Sequence, residues 1–253
     1  MSLQGKVALV TGGGRGIGRA VAERLAQDGA RVVVAGRTEP EIAAVSEAIG
    51  GIALRLDVGD RAEVAAALPR LRELVEHVDI LVNNAGVAES APFFETTDEA
   101  WDRMFAVNVT GAFALCKALV PAMMERGFGR VVNVASNAGL TGYAYSSGYC
   151  ASKHAIVGMS RAMALEIARS PVTINCVCPG WVETQMSREA VARIQAKTGR
   201  SLEEARKALT SMSPQRRMVE PDEVAAVVAM LCTHEARSIH GQAIPVDGGQ
   251  VMS

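Results

Sequence analysis

The chain holds three tyrosines, Tyr143, Tyr145 and Tyr149, and only Tyr149 has a lysine four residues on, Lys153. Positions i and i+4 share one face of a helix, so the pair predicts a phenol beside an ammonium, a charge that favours the phenolate and lowers the phenol's pKa. A phenol so placed can give a proton to a carbonyl oxygen while hydride reaches the carbon, and can take it back in the reverse direction. His154 follows Lys153, but adjacent helix positions point about 100° apart, and it is read as non-catalytic. Cys150 lies between the pair as a candidate reporter of access to thiol reagents, not as a nucleophile, because this chemistry needs no covalent intermediate.

A second constellation lies near the start of the chain. Val7 to Val10 runs into Thr11-Gly12-Gly13-Gly14-Arg15-Gly16-Ile17-Gly18 and then into Arg19-Ala20-Val21. A tight turn from strand to helix needs residues tolerant of positive φ, and a pyrophosphate needs backbone with no Cβ in its way. The helix that follows offers free N–H groups and the positive end of its dipole. Strand, glycines and helix in this order predict a phosphate cradle.

Something must hold the two constellations together. Short β-branched runs at Lys6 to Val10, Arg31 to Ala35, Ile52 to Leu56, Asp79 to Val82, Arg130 to Ala135, Val172 to Val177 and Ala243 to Val246 alternate with helix-length stretches. The stretches are Gly16 to Gln27, Pro40 to Ile49, Arg61 to Glu76, Asp102 to Glu125, Tyr149 to Arg169 and Asp222 to Cys232. This alternation predicts an α/β fold, a doubly wound parallel sheet of about seven strands with helices on both faces, in one domain over residues 1–253. Pro69 is expected to kink or split the third helix. The region from Gln185 to Arg217 interrupts the alternation. It carries a capping box, Ser201 with Glu204, and reads as a substrate lid at the carboxyl end of a strand. Eight basic residues in it face three acidic ones, an excess that would attract an anionic handle such as the phosphates of coenzyme A or an acyl carrier protein.

Composition removes other classes. With 26 basic and 27 acidic side chains the formal net charge is −1, so the broad attraction that nucleic acid requires is missing. A 49 % hydrophobic fraction with only 5 Phe, 3 Tyr and 2 Trp suits helices on a buried sheet and excludes disorder. Five cysteines, with no CxxC pair and no histidine at ligand spacing, support neither disulfides nor a metal site, and are read as reduced thiols of a cytoplasmic protein. No apolar run is expected to reach the roughly 18 residues of a membrane span.

The spacing Gly12-x-x-x-Gly16-x-Gly18 resembles the TGxxxGxG signature of short-chain dehydrogenases/reductases. Asn83-Asn84-Ala85-Gly86, Asn108, Ser136, Tyr149-Cys150-Ala151-Ser152-Lys153 and Pro179-Gly180 with Thr184 beyond follow in that family's order. The resemblance covers essentially the whole chain and implies a Rossmann-type domain that binds NAD(P). It implies that Tyr149 is the acid, that Lys153 also bonds the nicotinamide ribose, that Ser136 bonds the substrate oxygen, and that Asn108 holds a water linking Lys153 to solvent. It places Gly12, Arg15, Gly16, Ile17, Gly18, Asn84, Ala85, Gly86, Pro179, Gly180, Val182 and Thr184 around the cofactor, and Asp57-Val58 at its adenine.

Cofactor choice should fall at the end of the second strand, where an acidic residue would bond the adenosine 2′-hydroxyl. Gly36 stands there, followed by Arg37 and Thr38, with Arg15 in the glycine turn. Two cations and no carboxylate favour NADP(H); with Arg37 as a solvated loop residue the enzyme would use NAD. Trp181, Val182 and Met186 are expected as an apolar substrate wall, with Tyr143 and Tyr145 opposite. The helix from Tyr149 is apolar on more than one side, and relatives associate through it, so a homotetramer is expected. The leading function is reduction of a 3-oxoacyl thioester or similar β-keto compound by NADP(H). The alternatives are an NAD(P)-dependent dehydrogenase of a secondary, possibly cyclic, alcohol or of a 3-hydroxyacyl-CoA, and a dinucleotide sensor without turnover.

Overall fold

The structure, a computed structural model, describes residues 2–252. One parallel sheet runs through it in the order β3-β2-β1-β4-β5-β6-β7. Its strands are β1 (Val7–Thr11), β2 (Arg31–Gly36), β3 (Ile52–Arg55), β4 (Ile80–Asn83), β5 (Gly129–Val134), β6 (Val172–Pro179) and β7 (Ala243–Val246). The seven expected strands are thus all present, in a Rossmann-type order. Strand residues alternate between faces. Ala8, Val10, Val32 and Val34 join one core with helices α1 (Gly16–Gln27), α2 (Glu39–Ile49) and α9 (Pro221–Cys232). Leu9, Val33 and Ala35 join the other, with α3 (Arg61–Leu74) and α5 (Gly111–Arg126). Helix α6 (Ser147–Glu166) packs Ile156 and Val157 beside Cys176 and Cys178 of β6.

Strand order reverses between β1 and β4, and their carboxyl ends diverge there into a crevice. Gly12 follows one of these ends and Asn84 the other.

Three local expectations change. Helix α3 runs unbroken through Pro69, because a proline removes one hydrogen bond and the apolar face Val64, Ala67 and Leu71 holds the remaining turns on the sheet. The helix expected from Asp102 starts earlier, as α4 (Asp98–Phe105), since Thr97 Oγ1 caps it by accepting from Ala100 N at 3.2 Å. It continues through a π turn (Ala106–Thr110) into α5. By length and composition this run, Asp98–Arg126, is apolar enough to cross a membrane, against the expectation of no such segment. The reason is that α5 is apolar on two sides: Leu115, Val120 and Met123 are buried, while Phe113 and Met124 are exposed.

The region after β6 forms α7 (Gln185–Thr198) and α8 (Leu202–Thr210), the latter opened by the expected Ser201/Glu204 box. Ala190, Val191, Ala205, Leu209 and Met218 make a small core of their own there. All five cysteines are free thiols and buried, which makes Cys150, 8 % exposed, a poor reporter of access.

Candidate active site

The glycine turn is wired to β4. Thr11 Oγ1 accepts from Asn84 N at 3.0 Å and Ala85 N at 3.1 Å, and Asn84 Nδ2 donates to Thr11 O at 2.9 Å and Gly12 O at 3.2 Å. Gly12 needs its lack of a Cβ twice: its φ is +62, and a Cβ would lie 2.9 Å from Ala85 Cα. Helix α1 starts at Gly16 with no side-chain cap, so its first N–H groups are left for an anion.

From this turn a cleft of about 460 Å³ runs past Arg37 and Asp57 to Tyr149 and Lys153. Of the residues expected around the cofactor, all line it except Gly18, Pro179, Gly180 and Val182. Gly18 lies buried inside α1, and Val182 is held in the sheet core by a parallel bridge to Val219. At the adenosine end the two expected cations are not alone. Arg37 Nη1 stands 3.6 Å from Asp57 Oδ2, and Arg15 Nη1 stands 3.7 Å from Glu41 Oε1. The absence of a carboxylate therefore holds for position 36 and not for the space around it.

At the other end, β5 and α6 are pinned by a polar rung. Asn83 Nδ2 donates to Asn133 Oδ1 at 2.8 Å, and Asn133 Nδ2 donates to Ser160 Oγ at 2.8 Å. Two turns before Ser160 on the same helix, Lys153 Nζ donates to Val134 O at 3.0 Å. Its Nζ lies 5.7 Å from the centroid of the Tyr149 ring. Ser136, past the end of β5, accepts from Ala138 N at 3.1 Å and donates to Pro179 O at 3.5 Å, with its hydroxyl beside the Tyr149 phenol.

Burial pushes the Tyr149 phenol up, and the neighbouring Ser136 hydroxyl opposes it. The same cause takes Lys153 down to about 8. The shift runs opposite to the lowering expected from the ammonium: burial is its largest cause, and Lys153 Nζ is engaged by Val134 O.

Asn108 sits in the π turn, a distortion that re-aims side chains at functional sites. Its Oδ1 accepts from Val87 N at 2.9 Å, and its Nδ2 donates to Val87 O at 2.9 Å and Ser152 Oγ at 3.0 Å. The amide thus braces the strand-end loop against α6. His154 is exposed, and its Nδ1 meets Cys150 O at 2.9 Å, away from the pair as expected.

The expected substrate wall is only partly assembled. Met186 lines the cleft, but Trp181 is partly buried against the small core of α7 and α8. Tyr143 turns to the carboxyl-terminal segment, accepting from Gln250 Nε2 at 2.8 Å, with burial pushing its phenol up to about 12. Tyr145 is exposed at φ 63 and lines a separate hollow of about 160 Å³ beside Glu89 and Thr97.

The family described as short chain dehydrogenase matches residues 6–195. The chain belongs to the short chain dehydrogenase family. It is 37 % identical over 254 residues to the 3-oxoacyl-[acyl-carrier-protein] reductase FabG of Vibrio harveyi, covering 100 % of both chains. It is 37 % identical to the D-beta-hydroxybutyrate dehydrogenase of Cupriavidus necator, over 98 % of this chain and 99 % of the relative. The crystal structure of an actinorhodin polyketide ketoreductase variant with NADPH matches with a TM-score of 0.93 and 38 % identity, over 99 % of each chain. As a short chain dehydrogenase the protein is an NAD(P)-dependent oxidoreductase.

The cleft fits that cofactor class. It is continuous from the glycine turn to Lys153, and a Cβ on Gly86 would intrude between Asn108 Oδ1 at 3.3 Å and Lys153 Nζ at 3.6 Å. The family's signature residues did not point to Glu41, Glu89, Arg103, Gln185 or Glu189, which also line it. Glu41 falls in the first turn of α2, and that helical placement was its only signal. The position of Gln185 opposite the glycine turn depends on where α7 folds back, which no local pattern encodes.

Proposed function

We propose that the protein reduces the keto group of a 3-oxoacyl thioester or similar β-keto compound with NADPH. The observation that carries this reading is the Tyr149 phenol, with Ser136 beside it and Lys153 Nζ 5.7 Å from its ring centroid, at one end of a cleft whose other end holds Arg15 and Arg37. When bound, the reduced nicotinamide supplies a hydride to the carbonyl carbon. The Ser136 hydroxyl holds the carbonyl oxygen and the Tyr149 hydroxyl delivers the proton that balances the step. Lys153, an ammonium below about pH 8, stabilises the phenolate left behind and returns a proton to it, taking its own replacement from solvent. The activities of the Vibrio harveyi reductase and of the polyketide ketoreductase support a β-keto substrate. That of the Cupriavidus necator relative favours the second reading, oxidation of a hydroxy acid or secondary alcohol. A pure sensor needs only the glycine side of the cleft.

The test is a spectrophotometric panel of acyl thioesters, free keto acids and cyclic ketones with NADPH and NADH. Faster turnover of free acids or cyclic ketones than of thioesters would favour the second reading. Arg37→Ala is expected to lower the NADPH over NADH preference in kcat/KM by about tenfold, the loss of one charge-assisted phosphate contact; an unchanged ratio removes the cofactor argument.

Residues 185–217 serve as the lid of a single domain. Arg206 is paired with Glu183 and Arg217 with Glu223, whereas Arg193 is exposed at the cleft. Arg193 and the exposed Arg188 are the cations for an anionic thioester carrier, coenzyme A or acyl carrier protein. Arg188→Gln with Arg193→Gln should raise KM for acyl thioesters roughly three- to tenfold and leave uncharged ketones unaffected, as a comparison of KM values would show. The exposed Phe113 of α5 and Leu165 of α6 mark the faces through which a homotetramer would assemble in the cytoplasm.

A further inference from the structure

We propose that Glu41 is a specificity-determining residue, an internal counter-anion on Arg15 that weakens the cleft's discrimination for a 2′-phosphate; this rests on the NADPH reading above. Arg15 is the last residue before α1, and Glu41 lies in the first turn of α2. Gly14 lets the two approach, because a Cβ there would sit 2.9 Å from Glu41 Cβ. The Arg15 and Glu41 side chains stay 57 % and 38 % exposed, both on the cleft wall.

Asp57, the carboxylate beside Arg37, has a second task, accepting from Gly59 N at 2.9 Å. Glu41 has none: among the described residues Arg15 is its carboxylate's only partner. Arg15 meanwhile also donates to Gln185 Oε1 at 3.0 Å, so it spans from α2 to the start of the lid. An ion pair this exposed adds little to folding. Its effect falls on an incoming dianion, which must share Arg15 with a carboxylate already less than 4 Å from it and lies well within the screening length of that charge.

The experiment is calorimetric titration of the whole protein with ADP-ribose and with its 2′-phosphorylated form, two probes that lack nicotinamide and turn nothing over. E41Q is expected to tighten the 2′-phosphorylated probe about fivefold and to leave ADP-ribose within about twofold. E41A should behave alike, and R15A should erase most of the E41Q gain. Equal changes in both probes, or no change in either, would overturn the role of Glu41. The wild-type ratio of the two affinities tests the NADPH reading separately, since a ratio near one removes that reading whatever E41Q does.

Discussion

Tyr149→Phe is expected to lower kcat about 10²- to 10⁴-fold, the usual contribution of a positioned acid, with the affinity for NADPH held within about twofold. The ring stays in place in this variant, because α6 is fixed by the Asn133–Ser160 hydrogen bond and by Lys153 on Val134 O, neither of which involves the phenol. What is lost is the proton donor. Cofactor affinity by fluorescence titration and single-turnover reduction separate binding from chemistry. Turnover that survives within tenfold would mean that another group delivers the proton, and the assignment of Tyr149 would fall.

Gly18→Ala should be the most damaging single methyl in the chain. A Cβ there would overlap Gly12 O and Asn84 Nδ2, the two atoms whose hydrogen bond ties the glycine turn to β4. Neither is the free end of a flexible side chain: one is backbone and the other is held by Thr11 O and Gly12 O. The expected cost is about 1–3 kcal/mol of stability, roughly 2–12 °C in Tm for a chain of this length, together with most of the cofactor affinity. Calorimetry and NADPH titration measure both. Gly158→Ala in α6, where nothing lies within 4 Å, is the control and should be neutral or stabilising by about 0.5–1 kcal/mol. Comparable losses in the two variants would show that the turn has more slack than its geometry allows.

The sheet and the pairing of Tyr149 with Lys153 were legible in the sequence because each is encoded locally. β-branched runs alternate with helix-length segments, and Tyr149 and Lys153 are one helical turn apart. Charge partners were not legible, since they depend on contacts between elements. Glu41 reaches Arg15 across two βα units, and Asp57 reaches Arg37 from a neighbouring strand end. The destination of Trp181 was hidden for a related reason. An apolar residue just past a strand suits a substrate wall or a satellite core equally well, and only the path of α7 and α8 decides between them. The direction of the phenol's shift was missed because helical spacing reports proximity to a charge and says nothing of desolvation.

Helices α7 and α8 have an interior of their own and rejoin the body through the Val182–Val219 bridge. The proposed reacting groups, by contrast, stand on α6, with Ser136 just past the end of β5. On the assignment proposed above, mutation can therefore reshape the flap over the substrate without moving the groups that hold the carbonyl oxygen and deliver its proton, so selectivity and chemical competence are inherited on separate parts of one chain.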